Sequence, residues 1–202
     1  MHQSTLETPR LILRPWRLSD ARFLFRYASH PAVGPVAGWA AHKSVLESRL
    51  VIVRHLSGPE TYAVVLKSLG HPVGCVGLLL GEKSNLALPD GEAELGYWLG
   101  VPFWGRGLIP EAVDALVRRA FDDLHLRKIW CGHYDGNANS RRVQEKCGFR
   151  FHHTIPHAPT AIKGDFRVEH VSCLTAQEWK SNLQEPNDVR DSGNGYPGFP
   201  AK

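Results

Sequence analysis

The segment Trp-Gly-Arg-Gly-Leu-Ile-Pro-Glu-Ala, residues 104–112, has a composition suited to binding an anion. It lies between a strand-like run and an amphipathic pattern that predicts a helix over residues 110–124. Glycines at such a junction allow neighbouring N–H groups to point the same way, and the positive end of the helix adds to their field. Pro110 and Glu111 are typical of a first helical turn. The segment therefore predicts a main-chain site for a phosphate or pyrophosphate, with an ordinary tight turn as the alternative.

A second polar segment, residues 135–149, also follows a predicted strand and begins a helix. Asn137 is a favourable N-cap, Ser140 lies one helical turn later, and Gly148 ends the helix. Loops that follow strands can open at one edge of an α/β sheet, and ligands bind at that edge. An amide and a hydroxyl would then lie near the glycine-rich segment. A well-capped helix with no binding role is the alternative.

Two carboxylates lie on the predicted strand that precedes the glycine-rich segment. Glu92 and Glu94 are two residues apart, so they share one face of that strand. Neighbouring carboxylates raise each other's pKa, which favours a general base that works near neutrality. Ordinary surface carboxylates are the alternative interpretation.

Length, composition and charge narrow the function classes. A chain of 202 residues with 43% hydrophobic residues fits one domain with a proper core. The net charge of +4 is mild and dispersed, so no nucleic-acid partner is expected. The sequence has no run of 18 apolar residues and no signal-like start, which predicts a cytoplasmic protein without a membrane partner. Its four cysteines are scattered and its 11 histidines lack ligand spacing, so no metal is expected.

The elements that must position these residues have the order β-α-α-β-β-β-α-β-α-β-β. This order predicts a mixed α/β sheet with helices on its faces. The predicted strands cover residues 10–14, 61–67, 72–80, 92–99, 128–134, 149–155 and 166–174. The predicted helices cover residues 19–28, 44–57, 110–124, 138–147 and 175–179. Residues 1–180 form the predicted domain, and residues 181–202 form a tail rich in Pro, Gly and Asn.

Three of these segments together resemble the GNAT acetyltransferases. They are residues 93–98, residues 104–112 and residues 137–149, and they occur in the family's order and separations. The resemblance is closest to the branch that contains the ribosomal-protein N-terminal acetyltransferases, whose first strand is similar to residues 6–15. It covers about residues 6–180. It implies a mostly antiparallel central sheet with one splayed pair of strands and helices on both faces.

The resemblance also implies acetyl-CoA as the acetyl donor, with no metal. The pyrophosphate would bind the backbone amides of Gly105, Arg106, Gly107, Leu108 and Ile109. A bulge in the preceding strand would free N–H groups near Leu99, Gly100 and Val101 to face the thioester carbonyl. Asn137 would bind the pantetheine arm. Ile109 stands where relatives have a small residue, so it is expected to crowd the pyrophosphate.

Residue roles in catalysis follow from the same resemblance. Glu94 stands where relatives place the base, and it would act through a water, with Glu92 as the alternative. Ser140 would donate to the leaving sulfur, because Gln144 replaces the tyrosine that many relatives use as the acid. The expected reaction is direct transfer in a ternary complex to a primary amine. A non-catalytic CoA-binding module is the alternative from another class.

The acceptor is left open between a protein N-terminal α-amine and a small amine such as a polyamine, an aminoglycoside or an amino acid. The loops at residues 29–43 and 155–164 are expected to wall the acceptor groove. The residues expected on the acceptor side are Trp39, Glu92 and Tyr97. Trp39 is equally well explained as a loop anchor. A homodimer and a monomer both remain open.

Overall fold

Residues 4–84 and 86–184 are described by a computed structural model, and they form one eight-stranded sheet. The strands are β1 (Leu6–Glu7), β2 (Leu11–Pro15), β3 (Thr61–Leu66), β4 (His71–Leu80), β5 (Glu92–Leu99), β6 (Lys128–Tyr134), β7 (Arg150–Pro159) and β8 (Phe166–Thr175). Their order across the sheet is β1-β2-β3-β4-β5-β6-β8-β7. Every neighbouring pair is antiparallel except β5 and β6, which are parallel. The predicted mixed, mostly antiparallel sheet is confirmed.

Helices cover both faces of this sheet. They are α1 (Ala21–Ala28), α2 (Val45–Val51), α3 (Leu108–Arg118), α4 (Ala138–Lys146) and α5 (Ala176–Gln184). Apolar residues of α1 and of the π-helical turn after α2, such as Leu24 and Ile52, pack against Ala63 and Cys75 on one face. The apolar side of α3 packs with α4 on the other face. Among the described residues, no helix is long and apolar enough to cross a membrane.

The parallel strands β5 and β6 separate along their length. They pair only where residues 92–94 face residues 128–130. Beyond that point β5 stays paired with β4 as far as Leu99, and β6 stays paired with β8 as far as Tyr134. The two strands therefore splay apart after Glu94, as expected, and a cleft opens between them towards their carboxyl ends.

Several boundaries differ from the sequence prediction. The two-residue strand β1 was not predicted, because it is too short to show an alternating pattern. Strand β7 runs to Pro159 rather than ending at residue 155, so the second acceptor-side loop covers residues 160–165 instead of 155–164. Since β7 is the edge strand, its prolines need not donate to a neighbour. Helix α5 continues past residue 180, and the predicted tail from residue 185 onward lies outside the described residues.

Candidate active site

The glycine-rich segment forms an open loop that leads directly into α3. Gly105 and Gly107 have φ values of 72° and 70°, which other residue types rarely adopt. Around Gly105, no atom lies within 4 Å of the position that a Cβ would take. Helix α3 begins at Leu108, two residues earlier than predicted, and the N–H groups of its first turn have no acceptor within the helix. The loop is therefore able to bind an anion through its main chain.

Arg10, which precedes β2, braces this loop from outside. Its guanidinium donates to the carbonyl oxygens of Arg106 and Gly107, at 2.9 and 3.2 Å. Its Nε also pairs with Glu111 at 2.6 Å. Burial opposes ionisation of Glu111, but hydrogen bonds from Thr8 and Arg10 lower its pKa. In a trans peptide the N–H points away from the carbonyl, so a brace on these two carbonyls directs the next two N–H groups to the opposite side.

Two large side chains of the loop and of the first turn of α3 have partners elsewhere in the fold. The indole N–H of Trp104 donates to the carbonyl oxygen of Leu99 at 2.7 Å, which holds the end of β5 against the loop. Ile109 is only 6% exposed and packs in the core beneath α3. The crowding expected from Ile109 is therefore absent, because its side chain fills the core rather than the loop.

Strand β5 contains no bulge, and the bulge expected near Leu99, Gly100 and Val101 is wrong. Its register with β4 is regular from Ala93 to Leu99, and the N–H of Gly100 continues the pairing by donating to Val73 at 2.8 Å. The main-chain groups of β5 that face β6 are without a strand partner after Glu94, but a bulge is not the cause. The two strands splay after Glu94, which opens that side of β5 without a bulge.

Helix α4 begins as predicted, and its first turn contacts β5. The side chain of Asn137 accepts from the N–H of Ser140 at 3.2 Å, so Asn137 is an N-cap. Ser140 Oγ lies 2.9 Å from the hydroxyl of Tyr97. Tyr97 packs with the core on the α3 and α4 face of β5, whereas Glu94 lies on the opposite face. Tyr97 is therefore not on the acceptor side where the sequence prediction put it.

Gln144 is 1% exposed and does not face the cleft. Its Oε1 lies 3.1 Å from Nδ1 of His133, and that nitrogen must be the donor because the amide oxygen only accepts. His133 contacts His170, which in turn lies 3.2 Å from Asp135. Burial lowers the pKa of His133. These contacts give Gln144 a structural role beneath α4.

Two carboxylates lie on the other face of the sheet, Glu94 on the splayed strand β5 and Glu169 on β8, next to β6. Glu94 accepts a hydrogen bond from Ser84 at 2.8 Å. Glu169, on β8, is paired in register with Tyr134 and shares its face. Burial first, and then the charge of Glu94, raise the pKa of Glu169 to about 7. The sequence prediction missed Glu169; its neighbour Gly132, where a Cβ would overlap the Glu169 carboxylate, relates to it only through the pairing of β6 with β8.

Glu92 lies at the closed end of the splay. Its carboxylate accepts from the indole N–H of Trp130 at 2.5 Å, where β5 and β6 still pair. It is therefore held away from the open part of the cleft. Of the two carboxylates that the sequence offered as the base, Glu94 is therefore closer to the open part of the cleft than Glu92.

The two loops expected to wall the acceptor groove meet each other. The carbonyl oxygen of Gly38 accepts from the N–H of Ala161 at 2.9 Å, and Arg167, at the start of β8, donates to the carbonyl of Pro35 at 2.7 Å. In the first loop, the ring of Trp39 lies 6.1 Å from that of Trp98 on β5. Trp39 thus anchors its loop over the Glu94 face.

The family of the chain is decided by its central region. Residues 10–150 match the family described as "Acetyltransferase (GNAT) domain". The chain belongs to the GNAT acetyltransferase family. Acetyl-CoA is the donor used in this family, and within the described residues no group of His, Cys, Asp or Glu side chains is arranged to hold a metal.

Relatives and solved structures agree with this assignment. The chain is 32% identical over 130 residues to the N-acetyltransferase p20 of Bacillus licheniformis, which covers 62% of the chain and 70% of that protein. It is 38% identical over 65 residues to YdaF of Bacillus subtilis (strain 168), named as a ribosomal N-acetyltransferase, covering 32% of the chain and 36% of YdaF. The fold matches a GNAT acetyltransferase of Bacillus anthracis with a TM-score of 0.75 at 18% identity, over 86% of the chain and 99% of that structure.

Proposed function

We propose that this GNAT protein transfers an acetyl group from acetyl-CoA to a primary amine by direct attack in a ternary complex. The observation that carries the proposal is the splay between β5 and β6. An open, glycine-rich loop lies at one end of it, a serine hydroxyl lies on one face, and a carboxylate pair lies on the other. Those are the groups that amine acetylation by a thioester requires.

The donor side is formed by main-chain groups and α4. In the proposal the pyrophosphate binds the amides of the loop and of the first turn of α3. The residues involved are Gly105, Arg106, Gly107, Leu108 and Ile109. In the proposal the pantetheine arm and the thioester lie beside the end of β5 and the turn after it, near Leu99, Gly100 and Val101, although the N–H of Gly100 itself donates to Val73 on β4. Asn137 keeps its capping role and adds an amide close to the pantetheine.

The carboxylate pair accepts the proton of the incoming ammonium group. A base works best when its pKa lies near the working pH, and the raised pKa of Glu169 meets this condition. Glu94 contributes the neighbouring negative charge that raises this pKa and attracts the cation. We therefore assign the proton to Glu169, directly or through a water, and electrostatic support to Glu94.

Ser140 serves the leaving group. As the amine nitrogen bonds to the acetyl carbon, the carbon–sulfur bond breaks and its electron pair goes to sulfur, which takes up the second proton that the nitrogen loses as the amide forms. A hydrogen bond from the Ser140 hydroxyl stabilises the negative charge that develops there. No covalent intermediate with the protein is required, and burial raises the pKa of Cys131 far above its usual range, which keeps that thiol inert.

A protein or peptide N-terminal α-amine is the acceptor we propose. Its support is the name of YdaF, a ribosomal N-acetyltransferase that shares 38% identity over 65 residues. The test is a thiol-release assay with acetyl-CoA and a panel of N-terminal peptides, polyamines, aminoglycosides and amino acids. We expect saturable turnover with peptides and loss of turnover in Glu169→Gln and Ser140→Ala, with Asp122→Asn as the matched exposed control. Tight acetyl-CoA binding without acetylation of any amine would favour a CoA-binding module instead.

A further inference from the structure

The hydroxyl of Tyr97 makes two contacts with Ser140, and its single hydrogen can serve only one of them. Its oxygen lies 2.9 Å from Ser140 Oγ and 3.1 Å from the carbonyl oxygen of Ser140. A phenol both donates and accepts. Tyr97 can donate to the carbonyl and accept the hydrogen of Ser140, or it can donate to Oγ and leave that hydrogen free. Only the second arrangement leaves Ser140 a hydrogen for the leaving sulfur.

The geometry of α4 favours the second arrangement. Ser140 lies in the first turn of the helix, so its carbonyl oxygen is the regular acceptor for the N–H of the residue four positions later. That residue, Gln144, is within the same helix. The carbonyl therefore has a main-chain partner without Tyr97. Within the part of the chain that the structure describes, no main-chain N–H donates to the Oγ of Ser140, which makes it the better acceptor for the phenol hydrogen.

We propose that Tyr97 is a positioning residue for the leaving group: it donates to Ser140 Oγ and so directs the hydrogen of Ser140 into the cleft. This inference rests on the proposed function. The phenol that many GNAT relatives have on this helix is replaced by Gln144, whose Oε1 is bonded to His133. Here a phenol reaches the same turn of the helix from β5 instead.

Tyr97 acts by donating a hydrogen bond and does not give up its proton. Burial is the main cause that raises its pKa well above the usual range for tyrosine. It therefore stays protonated around neutral pH, and its hydrogen is then available to Ser140. The splay contributes to this arrangement, because β5 is unpaired with β6 at Tyr97 and its ring can reach α4.

The first experiment measures the acidity of the CoA thiol when it is bound. Thiolate absorbance during a pH titration gives this pKa in the wild-type chain, in Tyr97→Phe, in Ser140→Ala and in the double variant. We expect a lower bound-thiol pKa in the wild type than in free CoA. We expect both single variants to raise it, and the double variant to match Ser140→Ala because Tyr97 acts through Ser140. Tyr62→Phe is the matched control, since it removes another buried phenol hydroxyl, bonded to Glu60, outside the site.

The second experiment is kinetic. We expect Tyr97→Phe to lower kcat by about tenfold, the loss expected for one hydrogen bond, with the KM for acetyl-CoA changed less than twofold. The same substitution in the Ser140→Ala background has no further effect on kcat. Independent, multiplicative losses in the double variant, or an unchanged bound-thiol pKa in Tyr97→Phe, would overturn the role of Tyr97 alone. A wild-type chain that binds no CoA would instead overturn the proposed function.

Discussion

The pKa of Glu169 predicts how acetyl transfer depends on pH. It is raised from 4.5 to about 7 by burial and by Glu94. If Glu169 accepts the proton of the amine, only its ionised form is active. At one pH unit below its pKa, about one tenth of the molecules carry this form. The value of kcat/KM for the amine should therefore rise about tenfold per pH unit up to about pH 7 and then level off.

Substitution of each carboxylate tests this assignment. Glu169→Gln should lower kcat/KM by roughly 10²–10⁴ and remove the rising limb with its midpoint near 7. Glu94→Gln removes the second cause of the raised pKa but leaves burial, the first cause. The rising part of the kcat/KM profile of Glu94→Gln should therefore move to lower pH, with its midpoint still above pH 4.5. Asp122→Asn, which changes an exposed acid in the turn after α3, should keep the wild-type profile. If Glu169→Gln kept the rising part of the wild-type pH profile, Glu169 would not be the base.

The same pKa makes a prediction about stability with a definite sign. Between pH 4.5 and about 7 the native state holds a proton on Glu169 that the unfolded chain releases. Stability is therefore lost as pH rises through this window. The full shift corresponds to about 3 kcal/mol, and because Glu169 is partly exposed we discount this to about 2 kcal/mol or less. Glu169→Gln should be more stable than the wild type by that amount at pH 8 and equal to it at pH 4, measured by denaturant unfolding. If Glu169→Gln and the wild type were equally stable at pH 4 and also at pH 8, burial would not raise the pKa of Glu169.

Three further substitutions test the loop brace, the carboxylate pocket and a buried ion pair. Arg10→Ala should raise the KM for acetyl-CoA by roughly tenfold with kcat little changed, because two loop carbonyls lose a charged donor; an unchanged KM would contradict the brace. Gly132→Ala should lower kcat at least about tenfold without weakening CoA binding in a titration, because its Cβ displaces the Glu169 carboxylate. Glu60→Gln leaves Arg119 without its buried partner, 3.0 Å away. It should reduce the free energy of unfolding by about 3 kcal/mol with kcat retained, and a loss of kcat at full stability would be the contrary result.

The parts of the site that depend on local sequence could be predicted. The bounds of β5 agree with the sequence prediction, because its first four residues alternate between carboxylates and apolar side chains and aromatic residues follow them. The left-handed glycines and the Asn137 cap also follow from local rules. The bulge that the family resemblance implied for β5 is wrong, because the splay alone removes the strand partners on that side while the register with β4 stays regular.

The parts that depend on tertiary contacts could not be predicted. Arg10, just before β2, contacts the loop from 96 residues away in sequence, and no local pattern relates them. Glu169 meets the β5 carboxylate only through the order of strands, which puts β8 next to β6. Its neighbour Gly132 becomes informative only once the register of β6 and β8 is known. Burial then gives Glu169 its raised pKa, and burial is itself a tertiary property.

The alternation of β5 explains how one strand can serve both halves of the reaction. Glu94 and Tyr97 are three residues apart, so their side chains lie on opposite faces of the sheet. The proposed base side and the proposed leaving-group side are thereby separated by the thickness of one strand, and the splay is the passage that joins them. The amine can then approach from the α1 and α2 face while the sulfur departs on the α4 face, without the two competing for space. A one-residue slip of β5 would exchange the faces, and the regular register with β4, continued by Gly100, prevents such a slip.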